Sequence, residues 1–160
     1  MLTGASKLET TQMLASLPLF AGLTKRQLGA VSKAVDHASF EPGTELLTEL
    51  KEVQRLIIIR SGTAAITRRG AVAGDGGGLQ AGTSRRLGTV GPGDVVGELS
   101  LIDGHVASAS VVAETPIDAV LLYRTRFNSL LAATPELYPR LLVGMATRIR
   151  AMDRHTDMIS

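Results

Sequence analysis

Hydrophobic residues recur along this chain in three successive rhythms. Near the start, Leu28, Val31 and Val35 follow one another at helical spacing. They lie behind Thr24-Lys-Arg-Gln27, an arrangement in which the hydroxyl and the later amide satisfy free backbone donors at a helix start. Ser6-Lys-Leu-Glu9 has the same form, and Leu17-Pro-Leu-Phe-Ala-Gly-Leu23 joins the two as an apolar connection closed by Pro18 and Gly22. Helices are predicted near 6–17 and 24–36. From Phe40 to Tyr123 the rhythm shortens to β-type runs: Glu45–Glu49, Leu56–Arg60, Ala64–Arg68, Arg86–Val90, Ser110–Ala113 and Ile117–Tyr123. Pro42-Gly43, Ser61-Gly62, Gly91-Pro-Gly-Asp94 and Asp103-Gly104 punctuate them with turn chemistry. Many short strands at this spacing predict a sandwich or barrel. The two Pro-Gly turns at 42–43 and 92–93, each leading into an apolar run, echo one another as two halves of a jelly roll would.

The last rhythm is helical again. Thr125 is the predicted cap of a short helix carrying Phe127, Leu130 and Leu131. Thr134-Pro-Glu136 supplies N-cap, N1 proline and first-turn acid for a long helix, which Pro139 is expected to bend. On that helix Leu137, Leu141, Leu142, Met145, Ile149 and Met152 form one apolar stripe, opposite a basic face of Arg140, Arg148, Arg150 and Arg154. The predicted architecture is mainly β with flanking helices: one domain over 1–160, with N-terminal helices to about 36, a β-roll over about 39–123 and C-terminal helices over about 125–155. Residues 70–84 are glycine-rich with almost no bulky side chains and read as a mobile hairpin loop, its base flanked by Arg68-Arg69 and Arg85-Arg86.

Composition narrows the classes. A chain of 160 residues, 44% hydrophobic and 20% charged, is too apolar for disorder and long enough to bury roughly 70% of its unfolded surface without a staple. The absence of cysteine excludes a disulfide framework, a cysteine zinc site and a thiol nucleophile, and fits a cytoplasmic protein. The longest aliphatic run, Leu56–Ile59, is far short of the ~20 residues of a membrane helix, and the N-terminus has no apolar core of a signal peptide. A net charge of +2 is too small to imply nucleic acid, and two Tyr, three Phe and no Trp make a poor base-stacking platform. The length left after the long helix has no room for a helix-turn-helix, so no DNA-binding segment is expected.

The informative stretch is 91–111. Gly97 frees the backbone ahead of an acid, Glu98, and a short apolar turn; amides at such a helix start face an anion. A carboxylate beside an anion site makes sense when the ligand carries hydroxyls next to its phosphate, as a ribose does. On these residues alone, a phosphate-ribose site and a purely structural turn both remain open.

Gly97-Glu-Leu-Ser-Leu-Ile-Asp-Gly-His-Val-Ala-Ser-Ala-Ser-Val111 resembles the phosphate-binding cassette of cyclic nucleotide-binding domains, which reads approximately G-E-L-A-L-L-x-G-x-x-R-[AS]-A-[TS]-V. The resemblance continues through Leu19–Leu23, Phe40–Thr44, Leu56–Gly62, Arg126-Phe127 and Pro135–Leu137, about residues 12–155. It implies a helix-flanked β-roll that binds cAMP, with cGMP less favoured, and whose C-terminal helix moves as the readout. Glu98 would then accept from the ribose 2′-hydroxyl. The amides of Gly97, Glu98, Leu99 and Ser100 would approach the ribose and cyclic phosphate. Ser108 would contact the phosphate by its amide and hydroxyl, and Ser110 would lie near the purine.

Two positions depart from the family pattern. Ala107 stands where the family has its phosphate-binding arginine, and Leu50-Lys-Glu-Val-Gln-Arg55 replaces a turn usually rich in Gly and Asp. Arg60, Arg68, Arg85 and Arg86 are candidates to supply the charge from another strand, with His105 the nearest titratable group. The alternative is a degenerate scaffold that binds no nucleotide and acts through protein contacts. In either case the long helix is suited to a partner protein or a second copy of the chain. No enzymatic role is read: Gly91-x-Gly-x-x-x-Gly97 has one residue too many for a dinucleotide fingerprint, His37, His105 and His155 lack metal-ligand spacing, and no G-x-S-x-G elbow occurs.

Overall fold

A computed structural model describes residues 7–70 and 84–159, without the side chains at 99, 148 and 151–159. In chain order the elements are α1 (Lys7–Ala15), a 3-10 turn (Pro18–Phe20), α2 (Lys25–Lys33), β1 (Asp36–Phe40), β2 (Glu45–Leu47), β3 (Arg55–Ser61), β4 (Ala64–Arg69), β5 (Ser84–Val90), β6 (Val95–Val96), α3 (Glu98–Asp103), β7 (Ser110–Ala113), β8 (Ile117–Tyr123), α4 (Arg124–Ala133) and α5 (Leu137–Ile159). They fall into two compact units, His37–Leu121 and the two chain ends up to Asp36 and from Leu122. The glycine-rich loop and the Ser6 capping box lie, in whole or in part, outside the described residues.

The first unit is the expected β-roll. One four-stranded sheet has the order β1-β8-β3-β6 and the other β2-β7-β4-β5. Leu56, Ile57, Ile58 and Ile59 are all buried, so β3 is covered on both faces, as an unbroken aliphatic run requires. β7 instead alternates, with Val111 and Ala113 buried between half-exposed neighbours.

The echo between the Pro-Gly turns is real geometry. In each, the glycine has a left-handed φ (Gly43 90°, Gly93 88°) and its amide donates to a strand carbonyl, Ala113 at 2.7 Å and Ile59 at 2.8 Å. The return bonds match too, Ala113 N to Thr44 O at 2.9 Å and Ile59 N to Asp94 O at 3.0 Å. Proline fixes the first corner of each turn and glycine supplies the positive φ of the second.

β1 corrects the helix predicted to 36. α2 stops at Lys33, and Asp36–Phe40 pairs beside β8, with Ser39 Oγ donating to Asp118 at 2.7 Å. Asp-His-Ala-Ser-Phe has no buried residue and so shows no apolar alternation to betray a strand.

In the helical unit, Thr24 caps α2 as expected, its hydroxyl accepting from Gln27 N (3.2 Å) while the Gln27 side chain accepts from Thr24 N (3.0 Å). Phe20 and Phe127 are buried with ring centroids 6.1 Å apart and tilted. Three expectations change. Thr125 is not a cap: β8 runs straight into α4, and Tyr123, its last extended residue, is the N-cap without a side-chain bond. Thr134-Pro-Glu136 forms a turn, with Leu137 N and Tyr138 N bonding to Thr134 O and Pro135 O (3.1 Å each). α5 therefore begins at Leu137, and Pro139 sits in its first turn, where a missing N–H costs nothing and no bend is needed.

The single apolar stripe is in fact two. Leu137 and Leu141 are buried, whereas Tyr138, Leu142 and Ile149 are 53%, 70% and 54% exposed. Arg140 and Arg150 are exposed as expected. α5 and the chain before α2 meet backbone to backbone: a Cβ on Gly22 would lie 2.6 Å from Arg140 O, and one on Gly144 only 2.0 Å from Leu19 O.

Candidate functional site

Gly97 follows β6 in the left-handed region (φ 81°) and is the N-cap of α3. Two constraints require glycine at this position. A side chain would be strained at the positive φ, and a Cβ would stand 2.7 Å from Arg55 O and 3.0 Å from Val53 Cγ1. The turn carries the chain into a helix whose first internal bond is Leu101 N to Gly97 O at 3.1 Å. The amides of Glu98, Leu99 and Ser100 thus have no acceptor within the helix, which is the arrangement predicted from the sequence. Glu98 opens the helix, and its side chain is buried, only 4% exposed. Gly104, again left-handed (φ 69°), closes it by donating to Ser100 O at 2.8 Å. Asp103 Oδ1 accepts from His105 N at 2.9 Å, and His105 itself is exposed.

The chain from Val106 to Ser110 is laced to 49–52. Leu50 N donates to Ala107 O (2.8 Å), Ala107 N to Lys51 O (2.9 Å) and Glu49 N to Ser110 Oγ (2.9 Å), with a further bridge between Glu52 and Val106. The glycine-free replacement noted in the sequence has a visible cost. Leu50 takes a left-handed φ of 66° and leaves its side chain 75% exposed, a conformation that costs a non-glycine residue about 1–2 kcal/mol. The lacing also engages the two cassette positions differently. Ala107 is buried, 5% exposed, with both backbone groups bonded, while Ser110 uses its hydroxyl to hold Glu49. Ser108 is exposed. The structure thus brings Gly97, Glu98 and Ser100 into one turn, and Ala107, Ser108 and Ser110 into one laced segment leading into β7; the Leu99 side chain is outside the described residues.

Two of the candidate arginines are now placed. Arg86 forms a bidentate ion pair with Glu114 (2.7 and 2.8 Å). That hydrogen bond raises the pKa of Arg86 and lowers that of Glu114. Both groups lie at the surface, where such a pair adds little stability. Arg68 instead turns to the cassette, its Nε donating to Ser108 O at 3.0 Å. Sequence patterning could not find this, since Arg68 and Ser108 approach only through the pairing of β4 with β7. Among the described residues no group of three or more His, Asp and Glu is placed to hold a metal ion. No helix among them is long and apolar enough to cross a membrane.

Known proteins resemble this chain in sequence and fold. A regulator from Mycobacterium tuberculosis, the CRP-like cAMP-activated global transcriptional regulator, is 32% identical over 149 residues, covering 92% of this chain and 62% of its own length. The chain thus spans less than two thirds of that relative. The N-terminal domain of a transcriptional regulator from Streptomyces coelicolor superposes with a TM-score of 0.73 at 26% identity, covering 90% of this chain and 94% of the other. The regulatory subunit of a cAMP-independent protein kinase A from Trypanosoma brucei, as a triple mutant bound to cAMP in the A site, superposes with a TM-score of 0.59 at 26% identity over 85% of this chain and 48% of the other. The model of the cyclic nucleotide-binding domain matches residues 37–134, from β1 through α4. The β-roll is therefore that of a family member: this chain belongs to the cyclic nucleotide-binding domain family.

Proposed function

We propose that this domain binds cAMP in the 97–110 cassette and passes the binding on through α5, in the cytoplasm. The observation that carries the reading is Glu98, a carboxylate buried at the first position of α3 behind a glycine whose φ no other residue adopts cheaply. A buried acid beside outward-facing amides suits a ligand that offers hydroxyls and an anion together. The M. tuberculosis relative, a cAMP-activated regulator, supports cAMP over cGMP.

The second reading, a scaffold without nucleotide, is favoured by Ala107, which is apolar, buried and bonded on both sides where the family places a cation. The trypanosome subunit supports it as well, being cAMP-independent and bound to cAMP as a triple mutant. Calorimetric titration with cAMP and cGMP decides between them. Saturable one-to-one binding, tighter for cAMP, is expected; a protein that remains folded and takes up neither nucleotide is the scaffold.

The exposed line Tyr138, Leu142 and Ile149 suits a second copy of α5. Their spacing of four and then seven residues keeps them on one side of the helix, as a two-helix seam demands. Leu142→Glu is expected to convert a dimer into a monomer in sedimentation without lowering the melting temperature of the protomer. A protein that sediments as a monomer before substitution contradicts the dimer.

A further inference from the structure

The loss of the family's arginine leaves a question of charge: which group meets the ligand's phosphate. Ala107 offers none, Arg86 is committed to Glu114, and His105 is exposed beyond the turn, its amide held by Asp103. Arg68 is in a different position. In the antiparallel pairing of β4 with β7, Ala64 faces Ala113 and Ile66 faces Val111, and both β7 residues are buried. Partners directly opposite share a face, so Ala64 and Ile66 point into the roll. Arg68 is the next residue on that same face, at its open end, and its Nε is anchored on the carbonyl of Ser108. One donor of the guanidinium is thereby used to orient the fork, and the donors on its terminal nitrogens remain for a ligand.

A second, independent observation lies across the hairpin. Arg68 is the direct register partner of Arg85 on β5. Two like charges directly opposite one another on one face destabilise a sheet. Glu49, the acid nearest in the lacing, accepts instead from the backbone amide of Arg69 at 2.8 Å. An anion set between the two arginines and the cassette would remove this repulsion.

We propose that Arg68, reaching from β4 with Arg85 beside it, binds the cyclic phosphate in place of the arginine that the cassette lacks at Ala107. This inference rests on the cAMP-binding reading above. The charge enters the same cradle from the opposite strand, so the amides of 98–100 and of Ser108 keep the roles the family gives them. Arg68 is thus a binding residue, and its anchoring on Ser108 fixes where the fork points.

The test compares cAMP with adenosine, which shares base and ribose hydroxyls but has no phosphate. Wild type, Arg68→Ala, Arg68→Lys, Ala107→Arg and the Arg68→Ala/Ala107→Arg double variant are titrated with both, with melting curves to confirm that each is folded. Arg68→Ala is expected to lose about 10- to 100-fold in cAMP affinity with adenosine binding unchanged. Arg68→Lys should fall between, having charge without the fork. Ala107→Arg should recover the loss in the double variant and add less in the wild type. An Arg68→Ala protein that binds cAMP as wild type does, or that loses cAMP and adenosine equally, overturns the inference and leaves the cAMP reading standing. Binding of cAMP by Ala107→Arg but not by wild type also overturns it, because the cradle is then sound and Arg68 does not complete it. If neither protein binds cAMP, the cAMP reading itself falls, and this inference with it.

Discussion

Gly144→Val is expected to lower the melting temperature of this protein steeply. A Cβ at position 144 would fall 2.0 Å from Leu19 O, 2.5 Å from Leu19 C and 2.6 Å from Pro18 O. All three are backbone atoms, so no rotamer change relieves the clash; α5 or the 3-10 turn must shift. The buried residues around that seam, Leu19, Phe20, Leu137 and Leu141, would separate with it. Overpacking of this kind costs about 3 kcal/mol, which for a chain of this length is roughly 6–12 °C. Gly29→Ala is the matched control. Gly29 lies inside α2, a Cβ there meets nothing within 4 Å, and alanine should stabilise the helix by roughly 0.8–1 kcal/mol. Thermal melts of the two variants beside wild type check both signs, and equal effects would mean that α5 does not rest on the turn.

Glu98→Gln is expected to weaken cAMP binding. The amide keeps the size of the buried side chain but gives up the charge that, in the proposed function, accepts from a ribose hydroxyl. The Gln oxygen still accepts, but as a neutral group, so the loss is the difference between a charged and a neutral hydrogen bond, on the order of 1–1.5 kcal/mol, and cAMP affinity should fall about 5- to 10-fold. The free protein should remain folded, since the amide keeps the shape of the buried carboxylate it replaces. Titration and melting on the same samples separate the outcomes. A large drop in stability with unchanged affinity would make Glu98 a structural residue and remove it from the site.

Much of this architecture was legible in the chain because its signals are local. The capping box of Thr24, the paired Pro-Gly turns and the aliphatic run of β3 each act within a few residues, and each formed as expected. The cassette was legible for the same reason: Gly97, Glu98 and Gly104 are one continuous turn whose conformation is set by two glycines. What escaped was set by pairing at long range. β1 has no apolar alternation, and only its place beside β8 makes it a strand. Leu50 reads as an ordinary hydrophobic residue, yet the lacing of 49–52 onto 106–110 forces it to a positive φ. The long helix offered one stripe to the eye, and only burial divides Leu137 and Leu141 from Leu142 and Ile149. Arg68 was one of four candidate arginines until strand register set it against Ser108 and Arg85.

The central claim is that the 97–110 cassette is where this chain takes cAMP, and amide hydrogen exchange with and without the nucleotide tests it most directly. In the free protein the amides of Glu98, Leu99 and Ser100 have no acceptor within their helix and should exchange early. Saturating cAMP is predicted to slow them, together with the amide of Ser108, while Gly43 and Gly93, already bonded in their turns, change little. Unaltered exchange across 97–110 at nucleotide concentrations that saturate binding would contradict the claim, because the ligand would then be held elsewhere in the molecule.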